Sequence, residues 1–393
     1  MTYKVLIYGA NGHSGRMIAE RAITKKLRGV ELILAGRSAG GVTDLARKHG
    51  LEHRVFGLGD RPQVIRNLVG VNLVVNAAGP FSLTAERLAK ASIEVGSSYV
   101  DINGEVDVYM KLDDLARQAE AQEVALVSSA GHNAGASCLL LDYALGTLAK
   151  GRAVGAIRIG MSMASQFSRG SAVSGVRLVR EQVLTIRRGE TINQAGQPFP
   201  SLVKWHEPVG RLERMFDFGR LERGERQKRG PRRMTSAVNM VDTLLALQTV
   251  ERGPWKKTVT SIESYLEMDP AMRAAYQVGS TFASLMSVPL IAAEAQMLTN
   301  LMTSDRPSAA PGKQAVVLEI DGPHHERLIE LRLRVESGYA FTANLIVALI
   351  DSFAQGGWSP GWKTPSEILC PGPAETVSAG LLSTFGELDQ VRI

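Results

Sequence analysis

The stretch Lys4-Val5-Leu6-Ile7-Tyr8-Gly9-Ala10-Asn11-Gly12-His13-Ser14-Gly15 carries the decisive pattern of this chain. Within it Val5 to Tyr8 is a nearly continuous apolar run of the kind a parallel strand needs when both faces are buried. Three glycines, Gly9, Gly12 and Gly15, follow it, and a helical pattern occupies Arg16 to Leu27. Strand, glycine turn and helix in this order make an anion site. Gly9 permits the tight turn, Gly12 lets the backbone approach a pyrophosphate, and Gly15 lets the helix pack close to the strand. Asn11, His13 and Ser14 fill the rest of the turn, where free N–H groups and the positive end of the helix dipole face the phosphates. The spacing is GxxGxxG rather than GxGxxG, so the flanking strand and helix raise it above a structural glycine turn.

Outward from this turn, strand-like runs at Glu31 to Ala35, Arg54 to Phe56, Val71 to Asn76, Ser98 to Ile102 and Val124 to Ser128 alternate with stretches of helical length. Such alternation implies right-handed crossovers in one parallel sheet. Beyond about Gly131 the rhythm changes to longer strands of period two, Ala153 to Ala164, Thr258 to Met268, Gln314 to Ile320 and Leu328 to Glu336, broken by helices. The expected fold class is therefore α/β: an N-terminal Rossmann-type doubly wound parallel sheet, residues 1–133, with a second α+β domain, residues 134–338, on a mostly antiparallel sheet. Residues 339–355 are apolar almost all round and predict a buried helix. Pro360 and Pro365 mark irregular chain after it, and residues 303–312 a surface loop.

The second strand ends in Leu34-Ala35-Gly36-Arg37-Ser38, where a site selective for NAD would carry an acidic residue for the ribose hydroxyls. None is present. Arg37 and Ser38 can bond a 2′-phosphate instead, which points to NADP(H) over NAD(H), with a simple solvated arginine as the alternative.

Composition narrows the remaining classes. A chain of 393 residues with 45% hydrophobic and 21% charged residues is long enough for two domains and excludes disorder as the main state. Two cysteines, Cys138 and Cys370, form neither a disulfide framework nor a CxxC pair, so a reducing, cytoplasmic setting is expected. The opening residues lack the layout of a secretory leader. The longest apolar stretch, residues 282–297, is short for a membrane span and carries Glu294 and Pro289, so it reads as a core or interface helix. Net charge is +6, and nine Lys/Arg against four Asp/Glu fall within residues 211–233. That concentration fits one local basic element, not the broad charged face of a nucleic-acid binder. The element is a solvated loop, or a lid that attracts an acidic substrate. The histidines show no metal-ligand spacing and no GxSxG elbow is present, so neither a metal nor hydrolase chemistry is expected.

Three further stretches together resemble the saccharopine dehydrogenase-like oxidoreductases: Val75-Asn76-Ala77-Ala78-Gly79-Pro80-Phe81, Tyr99-Val100-Asp101-Ile102-Asn103-Gly104-Glu105, and Ala130-Gly131-His132-Asn133-Ala134-Gly135. Val241-Asp242-Thr243 and Gly361-Trp362-Lys363-Thr364-Pro365-Ser366-Glu367 look like the family's second domain and C-terminal return, more weakly. The resemblance implies a Rossmann domain for NADP(H), a second domain that shapes specificity and association, a homodimer, and a tail, residues 339–393, that returns to the first domain. It also places Ala78, Gly79, Pro80 and Phe81 near the cofactor, and Asp101 and Glu105 near its nicotinamide end. Asp101 is a proton donor or substrate contact, or else a cap for the next turn. His132 departs from the family's aromatic and acidic residues after this glycine; it moves protons or is a structural hydrogen-bonding residue.

The expected activity is NADP(H)-dependent hydride transfer between nicotinamide and a C=N or C=O bond of a small-molecule substrate, with Asp101, Glu105 and His132 as catalytic candidates. An imine reductase is one form of it. Enoyl reduction of a carrier-bound or lipid intermediate is the alternative within enzymes, and a non-catalytic NADP(H)-binding scaffold or redox sensor the alternative outside them.

Overall fold

The computed structural model describes residues 2–162, 182–192, 198–207, 212–218, 232–268, 314–372 and 375–392. The apolar stretch 282–297, the loop 303–312 and residues 219–231 of the basic segment lie outside these. Two compact units divide the chain: Met1–Gly135 with Gly338–Glu375, and Ala136–Ser337 with Thr376–Ile393.

The first unit opens with β1 (Tyr3–Tyr8), α1 (His13–Lys25), β2 (Val30–Gly36), α2 (Ala39–His49), β3 (Glu52–Val55), α3 (Arg61–Leu68), β4 (Leu73–Asn76) and α4 (Phe81–Glu94). β5 (Ser98–Asp101), α5 (Val106–Asp113), α6 (Ala116–Ala121) and β6 (Ala125–Val127) follow, and α7 (His132–Tyr143) carries the chain onward. The second unit holds β7 (Ala156–Met161), β8 (Val183–Ile192), β9 (Pro198–Glu207), β10 (Glu213–Asp217), β11 (Arg232–Ala237), α8 (Asp242–Arg252), β12 (Ser261–Glu267), β13 (Gln314–Asp321) and β14 (Arg327–Val335). α9 (Gly338–Gln355), β15 (Gly361–Lys363) and α10 (Pro365–Leu369) return to the first unit, and α11 (Ala379–Phe385) and β16 (Glu387–Arg392) close the second.

Seven described strands of the first unit form one sheet in the order β15-β6-β5-β4-β1-β2-β3. Every pairing in it is parallel. The order reverses direction at β1 and β4, the switch point outside whose carboxyl ends a doubly wound sheet takes its ligand. Period two explains the core. Leu6, Ile33, Val74, Tyr99 and Leu126 of five strands enter one cluster with Leu68, Leu88 and Leu112 from α3, α4 and α5. Each such aliphatic side chain contributes about 1.5–3 kcal/mol through burial. On the first unit's own terms α9 is the apolar helix the sequence predicts, and it packs against α1.

The chain around Pro360 and Pro365 is more regular than expected. Gly361-Trp362-Lys363 pairs in parallel with Ala125-Leu126-Val127 as the seventh strand. Thr364 then caps α10 in a capping box with Glu367, whose Oε2 accepts from the Thr364 N–H at 2.8 Å. Pro365 sits at the first helical position, where proline has no N–H to lose and starts a helix instead of breaking one.

The second unit's sheet runs β10-β11-β12-β7-β13-β14-β16, with β8 pairing β12 and β9. Only β7 with β12 is parallel among the described pairs, so the sheet is mostly antiparallel. The return of residues 339–393 is divided: β15 joins the first sheet, whereas β16 pairs with β14 and covers what would otherwise be a bare edge. One face carries buried ion pairs where alternation would put apolar side chains. Glu319, 2% exposed, accepts from Arg214 and Arg327 at 2.8 Å each, and Arg158 reaches Asp321. Burial of such charges is tolerable only because each is paired and hydrogen-bonded.

Candidate active site

The glycine turn has the geometry of a phosphate cradle. Gly9 adopts φ 84°, in the left-handed region, and its N–H donates to the Ala35 carbonyl at 2.8 Å. A Cβ there would stand 2.9 Å from the Cβ of Ala78 and from its backbone nitrogen. At Gly15 a Cβ would be driven into the carbonyl oxygen of Gly9. Gly15 therefore lets α1 begin against the end of β1, as the spacing predicts. Gly12 is the N-cap of α1, exposed, with no side chain capping the helix and no acidic residue in its first turn. The first turn of a helix so placed directs its N–H groups and the positive end of its dipole outward, as an anion site requires.

Asn11 does something the sequence did not reveal. Its carboxamide stands where a Cβ on Gly36 would come within 3.2 Å of Oδ1 and one on Gly41 within 3.1 Å of Nδ2. It thus fills the gap between the first and second strand-to-helix turns. His13 sets its ring edge-on to Tyr339 at 4.5 Å, and Ser14 is half-buried in the first turn of α1. Across this gap Arg37 and Ser38 are exposed at the end of β2. Ser38 is the N-cap of α2 without using its side chain, and no acidic residue occupies the first turn of α2. Among the described residues no carboxylate pairs with Arg37. Burial raises the Tyr8 phenol above its ordinary range while the Arg37 charge works against that rise.

On the other side of β1, β4 ends at Asn76, and Gly79 and Pro80 stand exposed before Phe81 opens α4. Phe81 packs against the core and Ala78 against the glycine turn. Asn76 is fully buried; its Nδ2 donates to the Tyr99 hydroxyl at 3.0 Å and to Thr84 Oγ1 at 3.3 Å, and its Oδ1 accepts from the Ala78 N–H at 3.0 Å.

Asp101 ends β5 and is wholly buried. Its Oδ1 accepts from the Asn103 N–H at 3.0 Å, the Ser128 hydroxyl at 2.9 Å and the Ser129 N–H at 2.8 Å. Its Oδ2 accepts from the Tyr99 hydroxyl at 3.0 Å. Burial raises the Asp101 carboxyl to about 6 against the pull of these four donors, and pushes the Tyr99 phenol well above its ordinary range. The carboxylate ties together the ends of β5 and β6, which makes it a brace more than an open acid. Ser129, held by it, sits at φ 67°, a left-handed conformation that a non-glycine residue keeps only when its surroundings enforce it.

Glu105 is 7% exposed at the N-cap of α5, and its N–H donates to Asn103 Oδ1 at 2.8 Å. His132 is 9% exposed, with Nδ1 3.0 Å from Asn133 Oδ1, its ring edge-on to Phe341 at 5.4 Å, and Nε2 buried without a hydrogen-bond partner. Burial lowers the imidazole from 6.5 to about 4, so it is neutral at pH 7 and stays so well into the acid range where an exposed histidine is charged. Of the expected residues, Gly9 to Gly15 and Ala78 come together, and Asp101 joins a network that residue-type reasoning missed: Asn76, Tyr99, Ser128 and Ser129. The available signal was polar residues at the carboxyl ends of otherwise apolar parallel strands. Among the described residues no group of three or more His, Cys, Asp or Glu side chains is placed to hold a metal, and no helix is long and apolar enough to cross a membrane.

Saccharopine dehydrogenase (L-Glu forming) from Saccharomyces cerevisiae superposes with a TM-score of 0.62 over 99% of this chain and 100% of that one, at 12% identity. The fold is saccharopine dehydrogenase-like. Homospermidine synthase from Legionella pneumophila, solved in complex with NAD, shares this fold with a TM-score of 0.60 over 100% of this chain and 92% of that one, at 10% identity. At such identities the saccharopine dehydrogenase-like fold is what the likeness establishes. No family model matches the sequence. A lipid droplet localized protein of Caenorhabditis elegans is 31% identical over 140 residues, so the match spans 33% of this chain and 33% of that protein's length.

Proposed function

We propose that the chain is an NADP(H)-dependent oxidoreductase that moves a hydride between nicotinamide and a C=N or C=O bond of a small-molecule substrate. The observation that carries this reading is the uncapped, acid-free start of α1 against Gly9 and Gly15, at the switch point of a parallel sheet in a saccharopine dehydrogenase-like fold. When bound, the dinucleotide supplies the hydride at C4 of its nicotinamide. The first-turn N–H groups of α1 hold the pyrophosphate. Arg37 and Ser38 hold the 2′-phosphate, and the segment from Ala78 to Phe81 lines the nicotinamide half on the opposite side of β1.

Asp101 is assigned to positioning, because its oxygens are committed to four donors. His132, neutral at pH 7, offers Nε2 for a hydrogen bond to the substrate, and Glu105 at the start of α5 is the carboxylate assigned to the proton. Reduction of a lipid or carrier-bound enoyl group is the second reading; the nematode relative that matches a third of the chain is a lipid droplet localized protein. A cytoplasmic, dimeric enzyme remains part of the proposal.

Calorimetric titration with NADPH and NADH tests it. NADPH is expected to bind at least about tenfold more tightly than NADH, and Arg37→Glu to abolish that preference, a difference of about 1.4 kcal/mol or more. Binding of neither nucleotide would leave the glycine turn structural and end the oxidoreductase reading. Equal loss of both in the variant would remove Arg37 from the 2′-phosphate.

A further inference from the structure

We propose that Asn76 is a positioning residue that sets the pose of the nicotinamide half of the cofactor through the peptides on either side of Ala78; this rests on the function proposed above. The polarity of its hydrogen bonds is fixed by its neighbours. The Ala78 N–H can only donate, so the atom facing it at 3.0 Å is Oδ1. Nδ2 then faces the Tyr99 and Thr84 oxygens. Tyr99 is free to accept because its own proton goes to Asp101, and Thr84 because its proton goes to the Ala78 carbonyl at 2.6 Å. One carboxamide therefore holds the Ala77–Ala78 peptide directly and the Ala78–Gly79 peptide through Thr84. No solvent group can substitute, since Asn76 is fully buried.

The next residues, Gly79 and Pro80, are the exposed ones at the end of β4. β4 pairs with β1 on the side away from β2, whose end carries Arg37 and Ser38. A dinucleotide laid across the strand ends with its pyrophosphate on the glycine turn puts its adenosine half over β2 and its nicotinamide half over β4. Asn76 thus acts on one half of the ligand and not on the other. It touches no ligand itself.

The test compares two ligands that share the adenosine half, NADPH and adenosine 2′,5′-bisphosphate, on the full chain. Asn76→Ala is expected to raise the dissociation constant of NADPH about tenfold while leaving that of the bisphosphate within about twofold. Tyr99→Phe keeps the ring in the core and the bond from Ala78, and is expected to weaken NADPH about threefold with the same indifference of the bisphosphate. A merely structural role would weaken both ligands together, and that result, or no change in either, overturns the inference while the function stands. Failure of the unmodified protein to bind either ligand overturns the function and this inference with it.

Discussion

Replacing His132 by glutamine isolates the effect of its burial on stability. In the unfolded chain the imidazole titrates near 6.5, and in the fold at about 4. At pH 7 it is neutral in both states and contributes nothing to the pH dependence. As pH falls, the unfolded chain takes up the proton first, which favours unfolding; stability present above 6.5 is lost as pH falls toward 4. At 1.36 kcal/mol per pH unit, this loss is about 2 kcal/mol at pH 5 and about 3 kcal/mol at pH 4. His132→Gln has no proton to take up, so it lacks this loss, and the packing it forfeits against Phe341 is a constant offset at every pH. Urea unfolding of both proteins at pH 7, 6, 5 and 4 separates the two. The protein with His132 is expected to lose about 3 kcal/mol more than the variant between pH 7 and pH 4. The other buried acids, Asp101 and Asp242, titrate in both proteins and cancel in the difference. Curves that stay parallel would mean that the imidazole meets water in the native state, and the neutral hydrogen-bonding role assigned to Nε2 would go with them.

Asp101→Asn should reverse the sign. The native carboxyl titrates at about 6 against 3.8 when unfolded, so the native protein holds its proton longer and stability falls by about 2 kcal/mol as pH rises from 4 to 6. Unfolding free energies across that range should lose this fall in the variant, and an unchanged slope would show that the burial of Asp101 is relieved by water. Glu319→Ala removes the 2%-exposed carboxylate that Arg214 and Arg327 share, while Arg327 keeps Asp321 and Glu330, and is expected to cost about 3 kcal/mol in urea unfolding. A loss below about 1 kcal/mol would mean that these pairs behave like solvent-exposed ones.

The parallel sheet and its ligand-binding edge were legible in the sequence because both depend on local order. A four-residue apolar strand such as Leu73–Asn76, a helix after it and glycines at three-residue spacing each express a rule that acts within a few residues. The strand Gly361–Lys363 was not legible, since three residues after a proline become a strand only when β6, more than two hundred positions earlier, presents an edge to them. The same holds for the charged face of the second sheet, where alternation failed because cross-strand partners replace apolar packing.

At the candidate site the sequence alone determined which residue types stand at the strand ends: Gly9 to Gly15, Arg37 with no acid beside it, Asp101 and His132. Their surroundings were decided by tertiary structure. Asp101 reads in the sequence as a proton donor, a substrate contact or a cap, and which donors its carboxylate meets depends on Ser128 and Ser129, 27 and 28 residues later. His132 reads in the sequence as a proton carrier or a structural hydrogen-bonding residue, and its lowered pKa comes from burial that only the fold supplies. Protonation and hydrogen-bond direction depend on solvent exclusion and on partners from other elements, and neither is encoded in any local stretch of chain.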